Sequence, residues 1–180
     1  MNIDQIYEAA FHDKYGDIRV NLDAIVDFVS RCETAAEFGV REGGSTAAIL
    51  KGHPKKLVSY DINPFPLVAE YAAAAAAEGI EFVFKQQDDC LELIEPVDFL
   101  FIDAEHTYEQ IHKELQVHSG QVKKYIGFHD TFWELSTQPV PEKNSWGLWR
   151  AINELVDTGK WFVVLNRFEC NGMTFIERVE

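Results

Sequence analysis

Five short apolar runs, each separated from the next by a helix-forming stretch, constrain this chain more than any other feature. They are "AAEFGV" (35–40), "KLVSYDI" (56–62), "IEFVFKQ" (80–86), "VDFLFID" (97–103) and "YIGFHD" (125–130). Each reads as a strand, and helices are expected from about residue 45, over 67–78, briefly over 90–94, and over 108–117. The 67–78 stretch carries six consecutive alanines, the best intrinsic helix formers, and Gly79 supplies its stop. Such alternation predicts a mostly parallel sheet covered by helices on both faces. After the helical stretch "GLWRAINELVDTG" come "WFVVLN" and "MTFIER" with no helix between them. These should form an antiparallel hairpin turning at Asn171–Gly172. The expected fold is therefore α/β, a doubly wound, seven-stranded, mostly parallel sheet with an antiparallel C-terminal hairpin.

Two helices at 3–11 and 21–31 should open the chain as an N-terminal helical segment, 1–31; Leu22, Ile25, Val26 and Val29 recur there at helical spacing. One domain spanning 1–180 is expected. The irregular segment "TFWELSTQPVPEKNSW", broken by Pro139 and Pro141, is long for a loop in such a domain. Residues 132–147 are read as a lid over the substrate. Trp133, Trp146 and Trp149 around it either stack on a ring-shaped acceptor or pack the loop onto the sheet.

Charge narrows the partners. Thirty acidic residues against 16 basic ones give a net charge of −14, a field that repels nucleic acid. The pairs Lys55–Lys56 and Lys123–Lys124 read as solvated loop charges. No apolar run is long enough to span a membrane, and the mixed, acidic start "MNIDQIYEAAFHDKYGD" is unlike a targeting peptide, so the cytoplasm is expected. Cys32, Cys90 and Cys170 match no zinc or redox spacing and are expected as reduced, mostly buried thiols. The sequence leaves oligomeric state open, a homodimer included.

In an open parallel sheet, ligands bind beyond the carboxyl ends of the strands. There the sequence places Glu37, Gly39 and Gly43–Gly44, then Asp61, then Asp88 and Asp89, then Asp103, then His129 and Asp130. Asp61 follows Gly39 by 22 residues, close to the ~20-residue spacing at which a carboxylate reaches a ribose hydroxyl. The turn reads Gly39-x-Arg41-x-x-Gly44, so a long side chain replaces the glycine that lets a dinucleotide's pyrophosphate approach. No Gly-Lys-Ser/Thr occurs either, which excludes a P-loop. A nucleoside ligand without phosphates fits best; a turn needing glycine only for packing is the plainer reading.

"EFGVREGGST" (37–46) resembles the first motif of class I S-adenosylmethionine (SAM)-dependent methyltransferases, which have a Rossmann-like fold. With "FIDAEHTYEQIHKEL" (101–115) and "GFHDT" (127–131), the chain is similar to the macrocin O-methyltransferase and cephalosporin-hydroxylase-like small-molecule O-methyltransferases. The resemblance implies that Glu37 and Gly39 lie beside the methionine portion of SAM, with Gly43 and Ser45 near its carboxylate. It implies Asp61 on the ribose, Asp88 or Asp89 facing the adenine amine, and Asp103 beneath the reacting centre. Members of this branch often hold Mg²⁺ through an aspartate after strand four and an acidic pair after strand five. Asp103 and Asp130 match two of those places, and His129 stands at the third. Mg²⁺ prefers oxygen ligands, so a softer divalent cation, or none, stays open.

The implied activity is methyl transfer from SAM to a hydroxyl of a small molecule, a sugar or glycosylated metabolite among the candidates. The proton of that hydroxyl would leave with help from a metal on Asp103 and Asp130, or pass to His106 or His129 as general base. His106 has a plainer reading, a helix-start residue bonded within its own turn. His112 and His118 are expected to be exposed helix positions. A SAM-binding protein without transferase activity and a nicotinamide-dependent oxidoreductase are the rival readings, the latter opposed by Arg41.

Overall fold

All six residues of β4 (Val97–Ile102) are buried, as a parallel strand covered on both faces must be. Its side chains alternate, Phe99 and Phe101 entering one apolar cluster and Leu100 and Ile102 the other. The computed structural model describes residues 1–14, 16–132 and 145–179. Within it, β1 (Thr34–Phe38) and β5 (Val122–His129) flank β4 in parallel, and β2 (Lys56–Asp61) and β3 (Glu81–Gln86) extend the sheet beyond β1. At the far edge β7 (Met173–Arg178) pairs antiparallel with β5 and with β6 (Trp161–Arg167). The order β3-β2-β1-β4-β5-β7-β6 is the expected doubly wound sheet with its antiparallel terminal hairpin.

On one face α1 (Ile3–His12), α2 (Leu22–Val29), α3 (Gly44–Lys51) and α4 (Val68–Ala77) bury Ile6, Ile25, Leu50 and Ala75 against Phe99, Phe101 and Phe175. On the other, α5 (Tyr108–His118) and α6 (Ser145–Leu155) press Ile111, Leu115 and Ile152 against Phe38, Leu100 and Phe128. Local sequence sets the ends. Asn2 and Gln5 exchange side-chain and backbone bonds in a capping box that starts α1. Thr107 Oγ1 accepts the Gln110 N–H at the start of α5, and Gly79, at φ 75°, closes α4.

Several expectations need correction. The short helix over 90–94 is a single 3₁₀ turn, Asp89–Leu91, begun by Asp88 Oδ1 accepting the Cys90 N–H. The terminal hairpin turns through three left-handed residues, Cys170, Asn171 and Gly172, rather than the last two alone. Cys170 is exposed and Cys90 half-buried, so only Cys32 is the buried thiol expected. Lys56, Lys123 and Lys124 lie in strands, where Lys56 pairs with Glu95 and Lys124 with Asp98. His118 is fully buried, because it shares the sheet-facing side of α5 with Ile111 and Leu115 at i, i+4, i+7. The expected lid falls, for residues 133–144, outside the described residues, and Trp133 with it.

The chain turns one way from β1 to β2 and β3, then returns to β4 on β1's other side. That reversal opens a crevice beyond the carboxyl ends of β1 and β4. Among the described residues no helix is long and apolar enough to cross a membrane.

Candidate active site

Gly39 ends β1 where the backbones of three strands converge. Its N–H donates to the Tyr60 carbonyl, and the Asp103 N–H donates to the Phe38 carbonyl. A Cβ on Gly39 would stand 2.2 Å from the Asp103 carbonyl oxygen, and its φ is +82°. Only glycine satisfies both conditions. Gly43, at φ +84°, caps α3, and a Cβ there would meet the Phe65 ring at 2.7 Å. Between them Arg41 is also left-handed, at φ 51°, and its side chain turns outward to Glu42 at 3.0 Å.

Asp61 fastens this turn from the tip of β2. Its Oδ2 accepts the N–H groups of Val40 (2.9 Å) and Arg41 (3.0 Å), and its Oδ1 accepts that of Asn63 (2.8 Å). Burial pushes the carboxyl up, but these backbone donors outweigh it and hold the group below its ordinary pKa, ionised. Lone pairs remain on both oxygens, and Asp61 lines a cleft of about 470 Å³ with Gly39, Asp88, Asp89, Asp103 and His106. A second cleft, of about 520 Å³, opens against the N-terminal segment and includes Asp17, Ser45 and Tyr71; Arg41 and Asp103 line both.

Glu37 lies beneath the turn rather than on either cleft wall. It is completely buried, and its Oε2 accepts hydroxyl bonds from Thr46 (2.8 Å) and Ser59 (2.6 Å), while Oε1 has no partner. Burial pushes its carboxyl up to about 7 against the pull of the surrounding hydroxyls.

The parallel register places Ile102 beside Phe128, so the next residues on each strand, Asp103 and His129, emerge as neighbours. His129 Nδ1 lies 3.4 Å from Asp103 Oδ1 and 3.4 Å from Asp130 Oδ1, and Asp130 is held left-handed at φ 56°. His106 Nε2 bridges Asp103 Oδ1 (3.2 Å) and Asp130 Oδ2 (3.1 Å). His106 therefore does bond within its own turn, to Asp103, and also reaches across to β5. Burial disfavours charge on all four groups, yet the pairing decides most of them. Asp103 is held well below the usual carboxylate range by His129 and His106 despite its burial. Burial lowers the His129 imidazole, but Asp103 and Asp130 push it up to about 9. His106 is likewise raised by the two carboxylates over the opposing effect of burial. For Asp130 burial wins and the pKa rises, although both imidazoles pull it down.

Asp103, His129 and Asp130 each offer a ligand atom within 4.8 Å of the others, and Asp130 Oδ1 has no hydrogen-bond partner. Two carboxylates and one imidazole suit a borderline divalent cation better than Mg²⁺. The structure thus brings Gly39, Asp61, Asp88, Asp89, Asp103 and His106 to one cleft and packs His129 and Asp130 behind it. Ser45 lies in the second cleft, while Glu37 and Gly43 shape the turn from beneath. Two residues missed by the sequence reading belong here. Gln110 lines the first cleft and donates to Glu114, and Asp17 faces the second from the N-terminal segment, close enough for His129 to feel its charge. Gln110 was accessible as the first-turn residue of a helix starting at the cleft; Asp17 carries no strand-end signal.

The glycine turn fastened by Asp61 thus stands beside a carboxylate–imidazole cluster at the sheet's reversal point. Residues 36–131 match the family described as a methyltransferase domain, and the chain belongs to that family. No curated protein sequence matches it. The fold is shared with a Podospora anserina methyltransferase solved with S-adenosylhomocysteine (SAH) bound, at 17% identity and TM-score 0.66, over 99% of this chain and 88% of that one. It is shared too with the O-methyltransferase of Bacillus cereus in complex with SAH (14%, TM-score 0.63, 98% and 89%). A third is the O-methyltransferase TomG of Streptomyces achromogenes, involved in tomaymycin synthesis and solved with SAM (15%, TM-score 0.63, 90% and 81%).

Proposed function

We propose that this chain transfers the methyl group of SAM to a hydroxyl of a small molecule. The observation that carries the reading is one cleft holding both the Asp61-fastened turn and the Asp103–His106–Asp130 cluster. Asp61 keeps free lone pairs for the ribose hydroxyls, Asp88 or Asp89 faces the adenine amine, and the methionine portion runs past Gly39 toward Asp103 and Ser45. The O-methyltransferases of like fold, two of them solved with SAH or SAM, support both the cofactor and the oxygen acceptor. The acidic surface and the size of the clefts support a small acceptor, a sugar or glycosylated metabolite among the candidates, over nucleic acid.

The reaction is a direct displacement: the acceptor oxygen forms a bond to the methyl carbon as the sulfonium–carbon bond breaks, giving SAH and a proton. Alignment of the two reactants supplies much of the acceleration. His106, the imidazole on the cleft wall, accepts the hydroxyl proton, and Asp103 and Asp130 orient its ring. His129, nearly sealed from solvent, holds Asp103 ionised and in place. Asp103, His129 and Asp130 would hold a divalent cation, which when bound lowers the pKa of a nearby hydroxyl. The test is calorimetric titration with SAH, followed by a transfer assay over hydroxylated small molecules with and without EDTA. Binding of SAH with Asp130→Asn retaining it but losing transfer supports the reading; tight binding of NAD and none of SAH overturns it.

A further inference from the structure

A second cluster lies away from the His129 centre, where the turn after β3 meets α5. Asp89, Cys90 and His118 each offer a ligand atom there, and the three atoms lie within 4.8 Å of one another. Glu114 precedes His118 by one helical turn, so both side chains leave α5 on the same face. Both are completely buried.

This cluster too has unmet polar capacity. Neither ring nitrogen of His118 makes a hydrogen bond of good geometry; burial holds its pKa down, and a loose bond to the Asp89 backbone opposes this only in part. Phe38 seals the ring from the sheet side, its centroid 5.0 Å away. Glu114 Oε1 accepts from Gln110 Nε2 at 2.8 Å, but Oε2 has no partner. The Asp89 and Glu114 carboxyls lie in hydrogen-bonding contact, Gln110 Nε2 also reaches Asp89 Oδ1 at 3.4 Å, and Lys113 acts on Asp89 only through its charge. A buried imidazole without a well-made hydrogen bond, beside two buried carboxyls whose charge burial disfavours, is costly unless something pairs it. A cation held by one His118 nitrogen, the Cys90 sulfur and an Asp89 oxygen meets part of that capacity.

The geometry points to a binding site for one zinc-type divalent cation, formed by Asp89, Cys90 and His118, with a water at the fourth position. A thiolate and an imidazole select zinc over magnesium or calcium. Tetrahedral zinc, with bonds of about 2.0–2.3 Å, sets neighbouring donors roughly 3.3–3.8 Å apart, so the present spread closes with shifts of about 1 Å. On binding, the Cys90 proton leaves to solvent and the sulfur coordinates as thiolate. The cation ties the 3₁₀ turn Asp89–Leu91 to α5, and so fixes the cleft wall that carries Asp88 and Gln110. The site is structural and stands whether or not the methyl-transfer reading holds.

Cobalt(II) distinguishes this site from the sulfur-free cluster of Asp103, His129 and Asp130. Metal-stripped full-length Asp130→Asn protein, in which that other cluster lacks a ligand, is titrated with Co²⁺ and followed by absorbance. The expected result is one Co²⁺ per chain with a near-ultraviolet thiolate-to-cobalt band, displaced by Zn²⁺, which also raises the melting temperature. Cys90→Ser should lose the band. His118→Gln, which keeps the thiol, should bind Co²⁺ more weakly while melting as cooperatively as its parent. Absence of cobalt binding, a bound cobalt without the band, a band that survives Cys90→Ser, or undiminished affinity in His118→Gln would each overturn the assignment.

Discussion

Glu37→Gln should make the protein more stable at neutral pH while leaving its acid stability nearly unchanged. The glutamate is completely buried, with two hydroxyl donors on one oxygen and none on the other. Burial raises its carboxyl from 4.5 to about 7, so the folded chain keeps this proton after the unfolded chain has lost it. The stability that protonated Glu37 contributes is therefore fully present below pH 4.5 and is lost as pH rises through about 7. At about 1.4 kcal/mol per pH unit, the loss amounts to about 3 kcal/mol by pH 8. Glutamine keeps the shape, retains an oxygen for Thr46 and Ser59, and does not titrate. Urea unfolding of both proteins at a series of pH values from 4 to about 8 reads the difference directly. With an m-value of about 3 kcal/mol per M, the variant's midpoint should exceed the parent's by about 1 M at pH 8, relative to their difference at pH 4. A difference that stays flat with pH would refute the reasoning. A parent that gains on the variant as pH rises would show that the hydroxyls outweigh burial.

Other positions give equally direct tests. Gly39→Ala should destabilise the fold by about 3 kcal/mol or more in the same unfolding assay, since the added methyl meets the Asp103 carbonyl at 2.2 Å on a left-handed backbone. Asp61→Ala should weaken SAH binding about 100-fold by calorimetry, as it removes charged acceptors and frees the Val40 and Arg41 N–H groups. Unchanged affinity would place the ribose elsewhere. His106→Asn should lower kcat by about 100-fold or more while SAH affinity stays within a few-fold, the signature of a proton acceptor rather than a cofactor contact.

The sheet was legible because its strands are apolar runs of the right length separated by helices, and β4's continuous burial leaves no other use for "VDFLFI". The strand-end residues were legible because a doubly wound sheet gathers them at one edge. The contact between Asp103 and His129 depends on the β4–β5 register, which no local pattern specifies. The reach of His106 to Asp130 depends on the conformation of the loop after β4, and Asp17 enters through the packing of the N-terminal segment. Glu37's burial beneath the turn was likewise hidden, because the polar identity of a strand-end residue does not say which side of the backbone it faces. His118 is a different case. Its spacing from Ile111 and Leu115 put it on the apolar face of α5, and the signal was in the sequence to be read.

A crystal structure of the protein with SAH tests the central claim most directly. The ribose hydroxyls should lie within hydrogen-bond distance of the Asp61 carboxylate, with the adenine toward Asp88 and Asp89 and the sulfur beside Asp103. SAH bound outside the 39–44 turn, or inside it with Asp61 making no contact to the sugar, would contradict the account.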